Sequence, residues 1–560
     1  MVTTVASTFD SVLSDKSMFG EIENTAKIVP NNTAYSFYGK SASYTKLIEE
    51  IELCARGLKT LGVKQGDVVT IMLPNCPQAV LMVYAINAVG AIANMVHPLS
   101  SERDIEISLQ ITKSKYAITM DTFAQSYVNL QSKLALEKVI VTYIQEGMGT
   151  IQGLLYPFVS KTKKIKFDQP YIIMWKDFLK QGSAYTGEYR ADVKAKDPAI
   201  IIHTGGTTGT PKGALHCNEA FNALARQIVP VCGINSSDRV LAIVPVFHGF
   251  GLGVSIHSAL VSGANVFLLP RYFADEYAKI TVKNKITYHI GTPSLFESFI
   301  HVERLQNADL SFIRGLFSGG DYLTNETKTN VTKFIQDRGS ACYPRQGYGL
   351  AEMIGAIALE PTVPNKECSI GKAFPGIDVM VCKADTEEEV PVGETGELCF
   401  TGPNAMMEYL DNVSETEKVL KTHADGRLWV HTGDLGHIDE DKDIYYTQRL
   451  KRMIVTNGYN VYPSQIEEVF DAHNYVRVSC AIGAPDERKG QKVIVYVVLN
   501  DENMDKEAAK TTLLEYGRKM VAKFAKPADI IFVDKLPLTM LNKVDYRALE
   551  KQYAEKDGKQ

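Results

Sequence analysis

The sequence predicts an α/β fold: a large N-terminal domain of doubly wound sheets with a small β-rich subdomain, followed by a small α+β domain. Apolar runs of strand length alternate with helical patterns through most of the chain. Around Gly376 to Phe400 the texture changes to short strands with Gly and Pro turns. Near Arg449-Leu-Lys-Arg-Met453 it shifts again, into a stretch of about one hundred residues, an ordinary domain size. The expected division is therefore 1–450 and 451–560.

Val68-Val-Thr-Ile-Met-Leu73 reads as the first clear buried strand. From Ala79 to Val96 the chain carries no charge, and the length approaches a membrane span. Asn87, Gly90 and Asn94 interrupt it, however, and Pro77 and Pro98 bracket it. A buried helix, Ala79 to Val89, turning at Gly90 into a buried strand fits better. Ile140 to Tyr143, Ala199 to Ile202, Arg239 to Val244 and Ala264 to Leu269 read as further strands. Near-continuous apolar runs of this kind suit parallel βαβ units, in which helices cover both sheet faces. In the last part, Gln465 to Asp471 and Lys506 to Phe524 read as helices, with Val476 to Ile482 and Val493 to Leu499 as strands.

A chain of 560 residues has room for about three or four domains. Its 45% hydrophobic and 22% charged residues are those of a soluble globular protein. A net charge of −5 makes no electrostatic case for a nucleic-acid or polybasic membrane partner. The short basic run Lys161-Thr-Lys-Lys-Ile-Lys166 reads as a solvated loop or linker face. Nine dispersed cysteines, without a Cys-x-x-Cys, point to free thiols in a reducing, cytoplasmic compartment. The first ten residues lack the basic and apolar regions of a signal peptide. Oligomeric state is not readable, and a homodimer is allowed.

Chemistry concentrates in four segments. His203-Thr204-Gly205-Gly206-Thr207-Thr208-Gly209-Thr-Pro-Lys212-Gly213 follows the apolar run 198–202. Its glycines permit positive φ and close approach to a ligand. Successive N–H groups make an anion-attracting concavity, and Lys212 adds a mobile charge. The loop suits a polyphosphate better than it suits a plain surface turn. It lacks the Gly-Lys-Ser/Thr close of a Walker A loop. Pro245-Val-Phe-His248-Gly-Phe-Gly251 sits at a strand end, where α/β proteins place ligands; taken alone, a core histidine in a tight turn reads better. Gln346-Gly347-Tyr348-Gly349-Leu-Ala-Glu352 offers a ring to stack on a base and an oxygen ligand for Mg²⁺, or else a buried tyrosine beside a helix-capping carboxylate. His431-Thr-Gly-Asp434-Leu-Gly436 puts an acid in a tight turn, suited to ribose hydroxyls or to a plain Asx-turn.

With Ser318-Gly319-Gly320-Asp321, Gly396-Glu397, Arg449-Leu-Lys451 and Leu538-Thr-Met-Leu-Asn-Lys543, these segments, in this order and spacing, resemble the adenylate-forming superfamily. That superfamily includes acyl-CoA synthetases, adenylation domains of peptide synthetases and beetle luciferases. The likeness covers nearly the whole chain. It implies two steps: a carboxylate attacks the α-phosphate of ATP, giving acyl-AMP and pyrophosphate, and a thiol then displaces AMP. It also implies roles. Thr204 to Lys212, with Gly205, Gly206, Thr207 and Gly209, would cradle the β- and γ-phosphates, with Thr208 and Glu352 at Mg²⁺. Tyr348, between Gly347 and Gly349, would stack on adenine, with Gly319, Gly320 and Asp321 on its other side. Asp434 and Arg449 would hold the ribose, and His248 would gate the acyl carboxylate. Lys543 would reach that carboxylate and the phosphate during adenylation. Lys451 would be the hinge of a mobile C-terminal domain, and the loop at Gly458 would admit the pantetheine arm of coenzyme A.

This chain departs from the superfamily pattern at Gly205 (serine is usual), Ala351 (threonine), Asn542 (glycine) and Val455 (lysine in luciferases and coumarate-type ligases). Val455 weighs against luciferase chemistry. No carrier module follows the small domain, which disfavours a modular peptide synthetase. A non-enzymatic nucleotide sensor is disfavoured because Lys212, Glu352, Asp434, Arg449 and Lys543 are all present. The expected pocket walls, 247–253, 291–295, 318–320 and 347–354, contain no Lys or Arg. Gly249, Gly251, Gly291 and Gly355 are expected to leave room. The expected substrates are ATP, coenzyme A and a medium- or long-chain fatty acid, with an aryl acid or a carrier-protein thiol as alternatives.

Overall fold

The structure is a computed structural model. It describes residues 11–134, 136–160, 167–204, 211–362, 366–456, 459–486, 490–501, 504–521, 525–539 and 544–557. The chain forms two compact units, Met1–Asp378 with Phe400–Val430, and Val379–Cys399 with His431–Gln560.

The first unit is built on two large sheets. One runs, in order, Lys372–Ala373, Ala358–Leu359, Pro344–Tyr348, Gly315–Ser318, Tyr288–Gly291, Arg239–Ala242, Asn265–Leu268, Thr33–Phe37 and Lys40–Ser43. Its six inner strands are parallel, and short antiparallel strands finish both edges. The other runs Glu408–Tyr409, Lys212–Cys217, Pro198–Thr204, Ile92–Met95, Val68–Met72, Tyr116–Met120, Lys138–Thr142 and Ile172–Met174. It is parallel from Pro198–Thr204 onward and antiparallel across Pro198–Thr204, Lys212–Cys217 and Glu408–Tyr409. The uniformly apolar strands of the sequence are therefore the covered, parallel ones.

The uncharged stretch is the helix Pro77–Ala88, with every residue buried. Pro77 opens it at a position where its missing N–H is not needed. Gly90, at φ 74°, turns the chain into Ile92–Met95. The polar residues inside are satisfied: Asn87 accepts from Phe19 N at 2.9 Å and donates to Asn218 at 2.7 Å. Asn94 donates to Thr70 and Ser108 at 2.9 and 3.1 Å. Buried amides of this kind belong to a protein interior. Among the described residues no helix is long and apolar enough to cross a membrane.

In the second unit, Tyr459–Val461, Ile454–Thr456, Gly490–Leu499 and Val476–Asp486 form a sheet, joined by Asp529–Phe532. Along Gly490–Leu499, Val493, Val495, Val497 and Leu499 pack with Phe470 and Leu513, while Ile494, Tyr496 and Val498 pack with Leu549. A period of two sends alternate side chains to opposite faces. The helices Pro463–Asp471 and Lys506–Met520 thus cover one face and Tyr546–Asp557 the other.

Candidate active site

Three adjacent parallel strands, Tyr288–Gly291, Gly315–Ser318 and Pro344–Tyr348, are held in register by Gly291↔Ser318 and Ser318↔Gln346. Their C-terminal ends are where open α/β sheets bind ligands. This register sets Gly319, Gly320 and Asp321 beside Gly347 and Tyr348. Gly319 N donates to Gly291 O at 2.9 Å. Gly320 then turns the chain at φ 83°, a conformation that side chains resist. Gln346 clamps the turn, accepting from Leu323 N at 2.7 Å and donating to Asp321 O at 3.2 Å. The Tyr348 ring is 5.8 Å from Phe400, at 36°. An aromatic face next to a turn with no side chain at Gly319 and Gly320 suits a planar ligand.

The turn after Tyr348 is tight. A Cβ on Gly349 would lie 2.4 Å from the Gly355 carbonyl carbon. Gly355 N closes the turn on Leu350 O at 2.7 Å. Ile354 is held at φ 59° although it is β-branched and buried. Such a residue costs on the order of 1–3 kcal/mol and persists only where its surroundings enforce it. The strained turn carries Glu352 on the 3₁₀ turn Ala351–Met353.

Glu352 leads to Lys212 through a residue that the sequence reading passed over. The Tyr409 hydroxyl donates to the Glu352 carboxylate, and Met406 N donates to Glu352 O at 2.8 Å. Tyr409 pairs with Ala214 of the Lys212–Cys217 strand. Lys212 Nζ lies 4.9 Å from the Tyr409 ring centroid and is ion-paired with Glu415. Lys212 holds the Glu415 carboxyl down to about 2, with Lys418 adding to the effect. Asn412 caps the helix Val413–Val419, accepting from Glu415 N at 3.3 Å. Lys212, Tyr409, Asp411, Asn412, Glu415 and Ile111 line a cavity of about 220 Å³.

Across the hairpin, Thr204 pairs with Lys212 and His203 with Gly213. The ends of the expected phosphate loop are thus fixed, whereas Gly205, Gly206, Thr207, Thr208 and Gly209 lie outside the described residues. His203 anchors the near end. Its Nε2 contacts Ser108 at 2.9 Å and Asn94 at 2.7 Å, and burial pulls the imidazole down to about 4, so it stays neutral.

His248 lies beyond the end of the strand Arg239–Ala242 and opens the π-helix Phe250–His257. Its Nδ1 accepts from Phe250 N at 3.1 Å, which leaves the proton of the neutral ring on Nε2. Short π-helices frequently mark functional sites. The neighbouring glycines do not leave room for the acid, contrary to expectation. A Cβ on Gly251 would lie 2.0 Å from Pro245 O, and one on Gly249 would lie 2.9 Å from the Ile354 carbonyl carbon. One on Gly355 would lie 2.5 Å from Phe250 N, and one on Gly291 3.1 Å from the Leu295 side chain. The space is already taken, mostly by backbone, so the His248 segment and the Glu352 turn interlock.

In the second unit Asp434 and Arg449 face each other across the hairpin of Leu428–Ile438 and Ile444–Arg449, with an ion pair of 3.1 Å. Asp434 is not in a tight turn; it lies within the strand Leu428–Ile438, after a left-handed Gly433 at φ 68°. Glu397 holds this irregularity from both sides. It accepts from Gly433 N at 2.8 Å and meets His431 Nδ1 at 2.9 Å. The bond from Asp434 N to Thr432 Oγ1, at 3.0 Å, fixes the acid itself. Lys451 lies on the 3₁₀ turn Leu450–Arg452, and Gly458 and Lys543 lie outside the described residues.

The sequence profile of the AMP-binding enzyme family matches residues 22–410, and that of the AMP-binding enzyme C-terminal domain matches residues 465–543. The chain is 30% identical to a long-chain-fatty-acid–CoA ligase of Bacillus subtilis (strain 168), over 97% of this chain and 96% of that protein. The fold is similar to that of ATP-bound MatB from Rhodopseudomonas palustris, with a TM-score of 0.83 and 22% identity over 96% of this chain and 99% of that one. It is also similar to the anthranilate CoA ligase AuaEII in complex with anthranoyl-AMP, with a TM-score of 0.82 and 21% identity over 98% and 99% of the two chains. The chain belongs to the AMP-binding enzyme family, as an AMP-forming acid–thiol ligase.

Proposed function

We propose that this ligase activates a medium- or long-chain fatty acid and transfers it to coenzyme A in the cytoplasm. The observation that carries the reading is the link Lys212–Tyr409–Glu352, continuous with the Tyr348 turn. It puts a cation, a carboxylate and an aromatic platform on one framework, as ATP cleavage at the α-phosphate requires. The acyl carboxylate attacks the α-phosphorus, and the bond to the bridging oxygen breaks as pyrophosphate leaves. Lys212 neutralises the leaving group, having exchanged Glu415 for phosphate oxygens. Such positioned charge supplies most of the catalysis in reactions at phosphorus. A carboxylate oxygen is a hard ligand, so Glu352 suits Mg²⁺, with Thr208, and the ion would neutralise further phosphate charge. Tyr348, Gly319, Gly320 and Asp321 hold adenine, while Asp434 and Arg449 hold ribose. Lys543 adds positive charge at the acyl carboxylate and α-phosphate. His248 borders the acyl group. In the second step the thiol attacks the acyl carbon and AMP departs. Lys451 is the pivot between steps, at the 1–450/451–560 boundary, and Gly458 lies by the pantetheine arm.

An apolar acid is favoured because the segments expected to line its site carry no Lys or Arg. The B. subtilis relative named for long-chain fatty acids supports the same choice. The nine dispersed cysteines suit a reducing compartment. An aryl acid is the second reading, favoured by the backbone that fills the space at Gly249, Gly251 and Gly355. Pyrophosphate release with a panel of acids, with coenzyme A present, separates the two. Long-chain acids are expected to give the highest kcat/KM. Exclusive use of acetate, a charged acid or an aryl acid would sink the fatty-acid choice.

A further inference from the structure

Beside the irregularity at Gly433, four metal-ligating side chains meet within the second unit. Glu397 and Cys399 lie two residues apart on the strand Gly396–Thr401, so they share a face. His431 reaches them from the adjacent strand Leu428–Ile438, and Cys382 from the strand Asp378–Cys382 on the other side. His431 Nδ1 is 2.9 Å from Glu397 Oε2 and 3.5 Å from Cys399 Sγ. One ligand atom from each of these three lies within 4.8 Å of the others. The Cys382 thiol is hydrogen-bonded with the Cys399 thiol. All four residues are buried, and the His431 and Glu397 side chains are only 3% and 6% exposed. The strands are fixed in this arrangement. The Thr432 hydroxyl donates to Leu398 O at 2.6 Å, and Gly433 N donates to Glu397 Oε1 at 2.8 Å, which leaves Oε2 to the His431 ring.

The chemistry of the donors says which ion they fit. A ring nitrogen carries one proton at most. On His431 Nδ1 that proton goes either to the carboxylate or to the sulfur, not to both. A cation between them serves carboxylate, imidazole and thiolate together, and buried charges persist where they coordinate a metal. Donors bound tetrahedrally to zinc, at about 2.0–2.2 Å for N and O and about 2.3 Å for S, stand roughly 3.3–3.8 Å apart. The N···S distance of 3.5 Å already has that value, and the N···O edge has to open by roughly half an ångström. Two thiols, an imidazole and a carboxylate select zinc over Mg²⁺, which takes oxygen ligands. The cluster would therefore not draw the Mg²⁺ proposed for Glu352. It also has an entry path, because Cys382 ends the outermost strand of its sheet and exposed residues follow it.

We propose that Glu397, Cys399 and His431, with Cys382 as the fourth ligand, form a tetrahedral zinc site that pins the strand irregularity at Gly433. With Oε2 on the ion and Oε1 on Gly433 N, Glu397 ties the metal to the residue before Asp434. The proposal is independent of which acid is activated. It is tested by titrating the full chain, reduced and metal-free, with Co²⁺, which occupies zinc sites and reports thiolate ligands through a charge-transfer absorption in the near ultraviolet. An absorption that saturates at a single equivalent, is removed by Zn²⁺ and ignores excess Mg²⁺ is expected. Zn²⁺ should also raise Tm, since a ligand of the folded chain stabilises it. Loss of even an outer-shell partner costs about 10- to 100-fold in metal affinity, so Cys399→Ser and Cys382→Ser should each lower Co²⁺ affinity at least tenfold, with an unchanged circular dichroism spectrum. Cys368→Ser, which alters an exposed cysteine outside the cluster, should titrate like wild type. A wild-type chain without the charge-transfer absorption, the result expected of a hydrogen-bonded cluster alone, would overturn the proposal. So would a Cys399→Ser chain that titrates like wild type, or loss of the absorption in Cys368→Ser, since the thiolates would then lie elsewhere. If Cys399→Ser does not fold, Cys382→Ser decides by the same outcomes.

Discussion

The two sides of the first unit's site are built by opposite means. On the proposed phosphate side, Lys212, Tyr409, Glu352 and Glu415 meet through side chains carried by separate strands, a 3₁₀ turn and a helix. On the proposed acyl side, the π-helix that begins beside His248 and the turn 349–355 pack closely at glycines, Gly249 against the Ile354 carbonyl and Gly355 against Phe250 N. The difference teaches where each side can be altered. A side-chain network loses function one group at a time, and the fold survives. A backbone interlock has no spare group to remove, so adding one methyl disturbs stability before it changes selectivity.

The largest effect should come from the phosphate side. Lys212→Ala removes the cation proposed to face the leaving group, and a loss of about 100- to 1000-fold in acid-dependent pyrophosphate release is expected. Circular dichroism should show an intact fold; an unfolded variant would mean that the ion pair with Glu415 is structural. Tyr409→Phe deletes only the hydroxyl that Glu352 accepts. A hydrogen bond to a charged group contributes about 1.5–3 kcal/mol, so the Mg²⁺ concentration for half-maximal rate should rise about tenfold. An unchanged Mg²⁺ dependence would detach Tyr409 from the proposed metal ligand, Glu352.

Gly251→Ala probes the backbone packing within the His248 segment, beside that interlock. Overpacking costs about 1–3 kcal/mol, and here the obstacle is the Pro245 carbonyl, which cannot rotate away. A lower Tm with an unchanged order of acid preference is expected. A stable variant that merely favours shorter acids would restore the idea that these glycines open the acyl site.

The smallest effect concerns Glu415. Its folded carboxyl sits at about 2, below the ordinary 4.5, because Lys212 and then Lys418 favour the charged form. A depressed acid contributes stability above its unfolded value, and that contribution is lost as pH falls through the folded one. The Tm advantage of wild type over Glu415→Gln should therefore be present at pH 7 and narrow below about pH 4.5. Partly exposed ion pairs contribute at most about 1 kcal/mol, so freeing Lys212 should lower the KM for ATP by no more than about fivefold. A higher KM in Glu415→Gln would mean that the glutamate positions Lys212 for ATP instead of occupying it.

These contrasts track what could be read from residues alone. Covered strands were legible because burial on both faces leaves unbroken apolar runs, as in 198–202 and 68–72. The helix Pro77–Ala88 was legible from its bracketing prolines and absent charge. Lys212, Tyr348 and Glu352 stood out as chemically unusual residues in ordered local motifs. Tyr409 and Glu415 did not: they reach Glu352 and Lys212 from 57 and 203 residues away. The two-residue strand that carries Tyr409 leaves no periodic trace. The glycines near His248 were visible, but composition cannot separate a glycine that opens a cavity from one that admits a neighbouring backbone. The strain at Ile354 was equally hidden, since nothing local forces a β-branched residue into left-handed space.

The nucleotide product tests most directly whether Lys212 faces a leaving pyrophosphate. Wild-type protein given a long-chain fatty acid, ATP, Mg²⁺ and coenzyme A should release AMP and pyrophosphate in equal amounts with acyl-CoA, and no AMP without the acid. Accumulation of ADP and inorganic phosphate would contradict it.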